Sequence, residues 1–182
     1  MEKKTIWELD RVDIETFRRQ EKLPIVIVLD NVRSLNNIGS IFRTADGFAL
    51  ERVVLCGISA CPPSSEIHKT ALGAEESMAW EYYENTLDAV NALRAEGFTI
   101  CCLEQVIGSV ELQSFEVNRG KRYAIIVGHE VQGVDQSVVN ASDYCLEIPQ
   151  HGTKHSLNVS VSAAIALWHF VQNIKAGNVN SI

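Results

Sequence analysis

Two uninterrupted apolar runs constrain the fold of this 182-residue chain more than any other feature. Residues Ile25–Leu29 and Tyr123–Val127 are continuously apolar rather than alternating, which is typical of parallel strands buried on both faces. Shorter apolar runs alternate with helical patterns along the rest of the chain. This alternation predicts one doubly wound α/β domain, with helices on both faces of a mostly parallel sheet of five or six strands.

The same patterns place the other elements. Further strands are expected at Arg52–Cys56, 78–83, Phe98–Leu103 and Tyr144–Ile148. Helices are expected at 5–21, 38–48, 64–71, 85–94 and Leu157–Ile174, with a short one opened by Asp135. Because Pro24 separates the first helix from the first strand, we assign residues 1–22 to an N-terminal helical extension and 23–182 to the α/β domain.

Composition excludes several classes of protein. No apolar run approaches the roughly 20 residues that cross a bilayer, and the charged N-terminus lacks the apolar core of a signal peptide, so a cytoplasmic protein is expected. The five cysteines lack zinc spacing, and His151 and His155 lack a third ligand, so no metal site is expected. The net charge of −7 argues against nonspecific nucleic-acid binding but leaves room for a local basic patch.

Ligands of open parallel sheets bind beyond the carboxyl ends of the strands, so the loops after the strands are the informative segments. The first runs from Asp30 into the helix Asn37-Ile-Gly-Ser-Ile-Phe-Arg43. Gly39, near the helix start, would let a phosphate or sugar approach the backbone. Arg43 lies nearly two turns into the helix, from where its long side chain can reach back toward the loop. Taken alone, this arginine is better explained as a surface charge.

Two later loops also carry unusual residues. Gly128-His-Glu-Val-Gln-Gly133 presents Glu130 between two glycines, although a plain turn explains this pattern equally well. The other loop runs from Ile148-Pro through Gly152 to Ser156-Leu-Asn-Val-Ser160, and small residues follow that suit close packing. Neither loop is a dinucleotide fingerprint, and the chain has no Gly-Lys-Ser/Thr phosphate loop, which speaks against an unrelated nucleotide binder.

Taken together and in this order, the three segments resemble the three motifs of the SpoU/TrmH-type ribose 2′-O-methyltransferases of the SPOUT superfamily. The resemblance spans roughly residues 25–172. It implies a C-terminal trefoil knot that binds S-adenosylmethionine, and an active site at the interface of a homodimer. Arg43 would match the catalytic arginine of the family, surrounded by Asn37, Glu130, Ser156 and Asn158.

The resemblance also implies where the cofactor is bound. The implied cofactor-binding residues are Leu103, Gly128, Ile148, Gly152 and Leu157. The sequence departs from the commoner family pattern at His129, where many members carry Asn, and at Gln150-His151, where an apolar residue is frequent.

The implied reaction is methyl transfer from S-adenosylmethionine to a ribose 2′-hydroxyl of a structured RNA. The short chain favours a compact substrate such as tRNA, and rRNA is the alternative. A catalytically silent, knotted RNA-binding factor is the second alternative, and the joint presence of Asn37, Arg43, Glu130, Ser156 and Asn158 argues against it. Candidates for phosphate contacts, which a scattered solvated surface explains equally well, are Arg33, Lys69, Arg119, Lys121, Arg122 and Lys154.

Overall fold

A single parallel sheet organises the chain. The computed structural model describes residues 2–5, 8 and 11–175. Seven strands within these residues pair in the order β3-β2-β1-β6-β4-β7-β5, and every pairing is parallel. The strands are β1 Leu23–Asp30, β2 Leu50–Cys56, β3 Trp80–Tyr83, β4 Phe98–Leu103, β5 Val110–Glu111, β6 Arg122–Val127 and β7 Tyr144–Glu147.

Helices connect the strands across both faces of the sheet. They are α1 Ile14–Arg19, α2 Leu35–Gly47, α3 Ser65–Ala71, α4 Ala74–Ser77, α5 Thr86–Ala95, α6 Gln136–Ala141 and α7 Val159–Lys175. Within the described part of the chain, no helix has both the length and the apolar character that a bilayer crossing requires.

The two faces of β1 belong to two separate cores. Ile25, Ile27 and Leu29 pack toward the side of α2, α3 and α7, whereas Val26 and Val28 pack toward the side of α5 and α6. All five side chains are fully buried, and each contributes roughly 1.5–3 kcal/mol of hydrophobic stabilisation. The continuous apolar pattern therefore reports a strand covered on both faces, and the doubly wound α/β prediction is confirmed.

The number of strands differs from the prediction of five or six. The additional strand is β5, which has only two residues and pairs with the edge of β7. A two-residue strand is too short to show any periodicity, so its pairing could be found only in three dimensions.

The N-terminal helix is shorter than predicted. Residues 11–13 are not helical, and α1 begins only at Ile14 because Asp13 is its N-cap, with Oδ1 accepting a 2.8 Å hydrogen bond from the Thr16 N–H. Phe17 alone of this helix is buried, and Ile6 and Leu9 lie outside the described residues. The division of the chain into an extension and a domain at residue 23 stays a prediction.

The last helix also starts later than predicted, at Val159 instead of Leu157. The reason is a cap: Oδ1 of Asn158 accepts a 2.9 Å hydrogen bond from the Ser160 N–H. Because β7 ends at Glu147, residues 148–158 form an irregular segment between the sheet and α7. The third segment of the family resemblance lies almost entirely in this stretch.

Candidate functional site

The carboxylate of Glu130 connects two of the three segments. Its Oε1 accepts hydrogen bonds from the Ser34 N–H at 2.8 Å and from Nδ2 of Asn37 at 2.9 Å. Its Oε2 accepts a third, from the Arg33 N–H at 3.1 Å. A side chain from the loop after β6 thus holds the loop after β1 and the first turn of α2.

Asn37 extends the connection to the third segment. The residue is 9% exposed, and its Oδ1 accepts a 3.1 Å hydrogen bond from Nδ2 of Asn158. Since Asn158 also caps α7, one run of hydrogen bonds joins the segments after β1, β6 and β7. We call Asn158, Asn37 and Glu130 the junction.

The junction also sets the charge of Glu130. Burial by itself raises the pKa of this carboxyl, but hydrogen bonds from Asn37, from the Ser34 N–H and from the Arg33 N–H favour the ionised form. These bonds outweigh the burial, and the pKa of Glu130 lies below its ordinary value of 4.5. Glu130 is therefore ionised near neutral pH and serves as an acceptor.

A cavity of about 500 Å³ opens beside the junction, at the carboxyl ends of β4, β6 and β7. Four of the five residues implied as cofactor contacts line it, namely Leu103, Gly128, Ile148 and Leu157. Glu130, Ser156 and Asn158 line it as well. The fifth implied contact, Gly152, is exposed, and an added Cβ there would meet nothing within 4 Å.

Gly128 lets two backbone segments touch at the wall of this cavity. A Cβ on Gly128 would lie 2.2 Å from the carbonyl carbon of Gly133 and 2.3 Å from the Val134 nitrogen. His129 and Gly133 exchange both backbone hydrogen bonds, and Gly133 has a φ of +72°. Nδ1 of His129 accepts a 3.0 Å hydrogen bond from the Val131 N–H and so closes the turn. The two glycines fix the shape of this wall.

Comparison with known families identifies the group to which the chain belongs. The model of the SpoU rRNA Methylase family matches residues 24–168. The chain belongs to the SpoU rRNA methylase family. The resemblance found in the three segments is confirmed by this match.

Individual relatives of this SpoU family chain are similar over most of its length. An uncharacterized tRNA/rRNA methyltransferase of Borreliella burgdorferi is 29% identical over 161 residues, which is 88% of this chain and 69% of that protein. An AdoMet-bound rRNA methyltransferase from Sinorhizobium meliloti shares the fold, with 23% identity and a TM-score of 0.75 over 90% of this chain and 61% of that one.

A structure concerned with the 2-OH methylation of C/U34 on tRNA also shares the fold, with 18% identity and a TM-score of 0.74. It is matched over 84% of this chain and 97% of its own length. This SpoU family chain is thus shorter than the first two proteins and similar in extent to the third.

Arg43 stands apart from the cavity of its own SpoU domain. It is exposed on α2 and is absent from the cavity lining. Among the described residues, no carboxylate forms an ion pair with its guanidinium. The structure therefore brings Asn37, Glu130 and Asn158 together and leaves Arg43 outside this group.

Gly39 has a different role from the one expected. A Cβ at this position would lie 2.2 Å from Oγ1 of Thr70 and 2.3 Å from the carbonyl oxygen of Ile67. The absence of a side chain allows α2 and α3 to pack in direct contact. The expectation that Gly39 admits a phosphate or sugar is wrong, because the space above it is filled by α3.

Two carboxylates in the SpoU cavity were not found from the sequence. Glu104 accepts hydrogen bonds of 2.9 Å from the Val134 N–H and the Gln105 N–H, and Glu147 accepts one of 2.7 Å from the Ser109 hydroxyl. Both line the cavity, as does Glu130. Glu104 directly follows β4 and Glu147 ends β7, so the rule that directed attention to strand ends could have found them.

Some of the basic residues have structural partners. The guanidinium of Arg122 lies 3.9 Å from the centroid of the Phe98 ring and pairs with Glu51 at 2.8 Å. Nε of Arg119 donates to the Asn173 carbonyl at 2.9 Å. Arg33 and Lys154 are exposed and lie in the first and third segments. They are better placed than Arg119 and Arg122 to meet an RNA at this site.

Proposed function

We propose that the chain transfers a methyl group from S-adenosylmethionine to a ribose 2′-hydroxyl of a structured RNA, with tRNA as the substrate. The observation that carries this proposal is the junction, because it joins all three family segments beside one cavity. Membership in a family of rRNA methylases supports the reaction class. The AdoMet bound in the S. meliloti structure supports the cofactor.

The chemistry of the cavity suits this cofactor. Its volume of about 500 Å³ lies within the roughly 300–1,000 Å³ of small-ligand sites. Among the described residues, those that line the cavity include three carboxylates, Glu104, Glu130 and Glu147, but neither lysine nor arginine. Such a lining favours a cationic sulfonium and disfavours the phosphates of a nucleotide cofactor. Leu103, Ile148 and Leu157 offer apolar surface for a purine ring.

When bound, S-adenosylmethionine supplies an electrophilic methyl group on a positively charged sulfur. The chain itself has to hold the ribose oxygen in line with that methyl carbon. It also has to stabilise the negative charge that develops on the ribose oxygen. Arg43 remains protonated and cannot act as the base. We assign it to clamping a substrate phosphate and stabilising the developing alkoxide, while that phosphate or a water accepts the proton. Glu130 and Asn37 position the loop that precedes Arg43.

An apolar face on α7 supports a homodimer. Val161, Ile165 and Trp168 follow the i, i+4, i+7 spacing of one helix face, and they are 48%, 40% and 55% exposed. The Trp168 ring lies 5.9 Å from that of Phe48, at the end of α2. A second copy that covers this face would also approach α2, which carries Arg43. We therefore propose that Arg43 serves the cavity of the partner protomer.

The choice of tRNA over rRNA is supported by the structure concerned with the 2-OH methylation of C/U34 on tRNA, which shares the fold over 84% of this chain. The rRNA alternative is favoured by the S. meliloti rRNA methyltransferase of the same fold. The trefoil knot and the cytoplasmic location stay predictions.

Incubation with tritiated S-adenosylmethionine and, in parallel, total tRNA and rRNA tests the proposal, followed by nucleoside mapping by mass spectrometry. We expect one ribose-methylated nucleoside in tRNA, absent with Arg43→Ala. Label in rRNA alone would establish the alternative substrate, and a methylated base would overturn the ribose assignment. Failure of the protein to bind the cofactor in calorimetry would overturn the methyltransferase proposal in favour of the silent RNA-binding factor.

A further inference from the structure

A second cavity, of about 550 Å³, lies near the β3 edge of the sheet and shares no lining residue with the cavity beside the junction. Pro62, Pro63, Trp80 and the first turn of α3 line it, together with His68, Glu75 and Glu76. It lies beside β3, the edge strand, whereas the first cavity lies at the ends of β4, β6 and β7. The proposed methyl transfer uses none of these residues.

The backbone between α3 and α4 brings three potential ligands together. Leu72 and Gly73 both adopt left-handed conformations, with φ of 54° and 92°, and turn α4 back toward α3. Nδ1 of His68 consequently lies 2.5 Å from Oε1 of Glu75. Ligand atoms of His68, Glu75 and Glu76 all lie within 4.8 Å of one another. The spacing of seven from His68 to Glu75 matches no metal motif, so the sequence did not predict this cluster.

Glu75 supplies the observation that points to a ligand. Its side chain is 7% exposed, yet Oε2 has no hydrogen-bond partner among the described residues. A buried carboxylate oxygen without a partner costs free energy on the order of 1–3 kcal/mol or more, so such atoms in folded proteins have a reason to persist. Among the described residues, the Glu76 carboxylate has no ion-pair partner. The guanidinium of Arg18 donates to the backbone carbonyl of Glu76 and not to its side chain.

We propose that His68, Glu75 and Glu76 bind a divalent transition-metal ion, with zinc as the preferred ion. One imidazole and two carboxylates supply nitrogen and oxygen ligands of the kinds that zinc accepts, and water would complete the tetrahedron. Ligand atoms on one zinc lie about 3.3 Å apart, so His68 and Glu75 separate slightly while Glu76 moves closer. The imidazole disfavours magnesium, which prefers oxygen ligands and near-octahedral geometry. The ion would hold α3 against α4 and satisfy Oε2 of Glu75.

Calorimetric titration of the EDTA-treated full chain with ZnCl₂, MnCl₂ and MgCl₂ tests this site. We expect one zinc per chain, weaker binding of manganese and no detectable binding of magnesium. His68→Ala and Glu75→Gln should each weaken zinc binding by at least about tenfold, because each removes one of three protein ligands. Glu66→Gln, which changes an exposed carboxylate on α3 that pairs with Lys69, should leave zinc binding unchanged.

Thermal unfolding with and without zinc distinguishes a zinc-binding role of Glu75 from a purely structural one. Zinc should raise the Tm of the wild-type chain and of Glu66→Gln by clearly more than that of Glu75→Gln. Glu75→Gln removes a buried charge, so we expect its metal-free form to remain folded. Zinc binding that persists in both His68→Ala and Glu75→Gln, or no zinc binding by the wild-type chain, would overturn the proposal.

Discussion

Nδ2 of Asn158 donates a 3.1 Å hydrogen bond to Oδ1 of Asn37, although the two residues are 121 positions apart in the chain. The other end of the Asn37 amide donates to Glu130. Each end of this amide therefore has one role, and its orientation is fixed by one donor and one acceptor. The relative positions of the three segments therefore depend on this amide, because its nitrogen needs the acceptor on Glu130 and its oxygen needs the donor on Asn158.

Asn37→Asp should disrupt the hydrogen bonds that join the three segments. The change removes the donor to Glu130 and places a second carboxylate against the first, so we expect the free energy of unfolding to fall by about 1–3 kcal/mol and cofactor affinity to fall with it. Adding Glu130→Gln should restore part of both quantities, since an amide at 130 donates to a carboxylate at 37 but loses the hydrogen bond that Oε1 accepts from the Ser34 N–H. Urea unfolding measures the unfolding free energies of the two single variants and the double variant, and calorimetry measures their cofactor affinities, which together give a double-mutant cycle. Additive losses in the double variant would contradict a direct contact.

Two glycines offer a matched pair of substitutions. Gly128→Ala drives a methyl group into the Gly133 backbone, so we expect loss of cofactor binding and a lower Tm. Gly152→Ala meets open space and a backbone conformation that alanine accepts, so both quantities should stay at their wild-type values. Calorimetry with S-adenosylmethionine and thermal unfolding compare the two variants. Loss of cofactor binding by Gly152→Ala would show that the 148–158 segment closes over the ligand.

The depressed pKa of Glu130 makes part of the stability depend on pH. A carboxyl whose folded-state pKa lies below its unfolded value of 4.5 contributes its stability above that pH and loses it as the pH falls through the folded-state pKa. The difference in unfolding free energy between the wild-type chain and Glu130→Gln should therefore be constant from about pH 7 to 5.5 and shrink below about pH 4.5. Urea titrations at each pH measure it. Asp13 and Asp135, whose pKa values are also lowered, are present in both proteins and cancel. A difference that does not change with pH would contradict the lowered pKa of Glu130.

Much of the fold could be predicted because strands buried on both faces leave a continuous apolar pattern. Ile25–Leu29 and Tyr123–Val127 lie within β1 and β6, which extend at most two residues beyond them at either end. The capping residue Asp13 was present in the sequence, but the apolar residues of 5–21 suggested a longer helix than the cap allows. Gly39 was misassigned because a helix–helix contact and a phosphate contact both require glycine. The junction depends on side chains about 100 positions apart, whose contact no local pattern records.

The exposed face of α7 predicts how the chain assembles. Ile165→Glu puts a charge at the centre of the apolar face, so we expect the dimer to dissociate and methyl transfer to be lost. Val12→Glu is the matched control, because Val12 is 52% exposed and is not part of α7. Light scattering after size-exclusion chromatography measures the mass of each variant. A wild-type monomer that is active would contradict the shared site.

Complementation between two inactive variants tests whether Arg43 acts across that dimer. Arg43→Ala retains the cavity and loses the guanidinium, whereas Gly128→Ala retains the guanidinium and loses the cavity. If Arg43 serves the partner protomer, each mixed dimer has one complete site. Mixed dimers isolated through a different tag on each variant should then have about half of the wild-type activity, since one of their two sites is complete. If Arg43 acted within its own chain, the mixed dimers would have no complete site. Methyl transfer by co-expressed, doubly tagged dimers measures the outcome, and inactivity of a dimer with correct mass and folded spectra would assign Arg43 to the cavity of its own protomer.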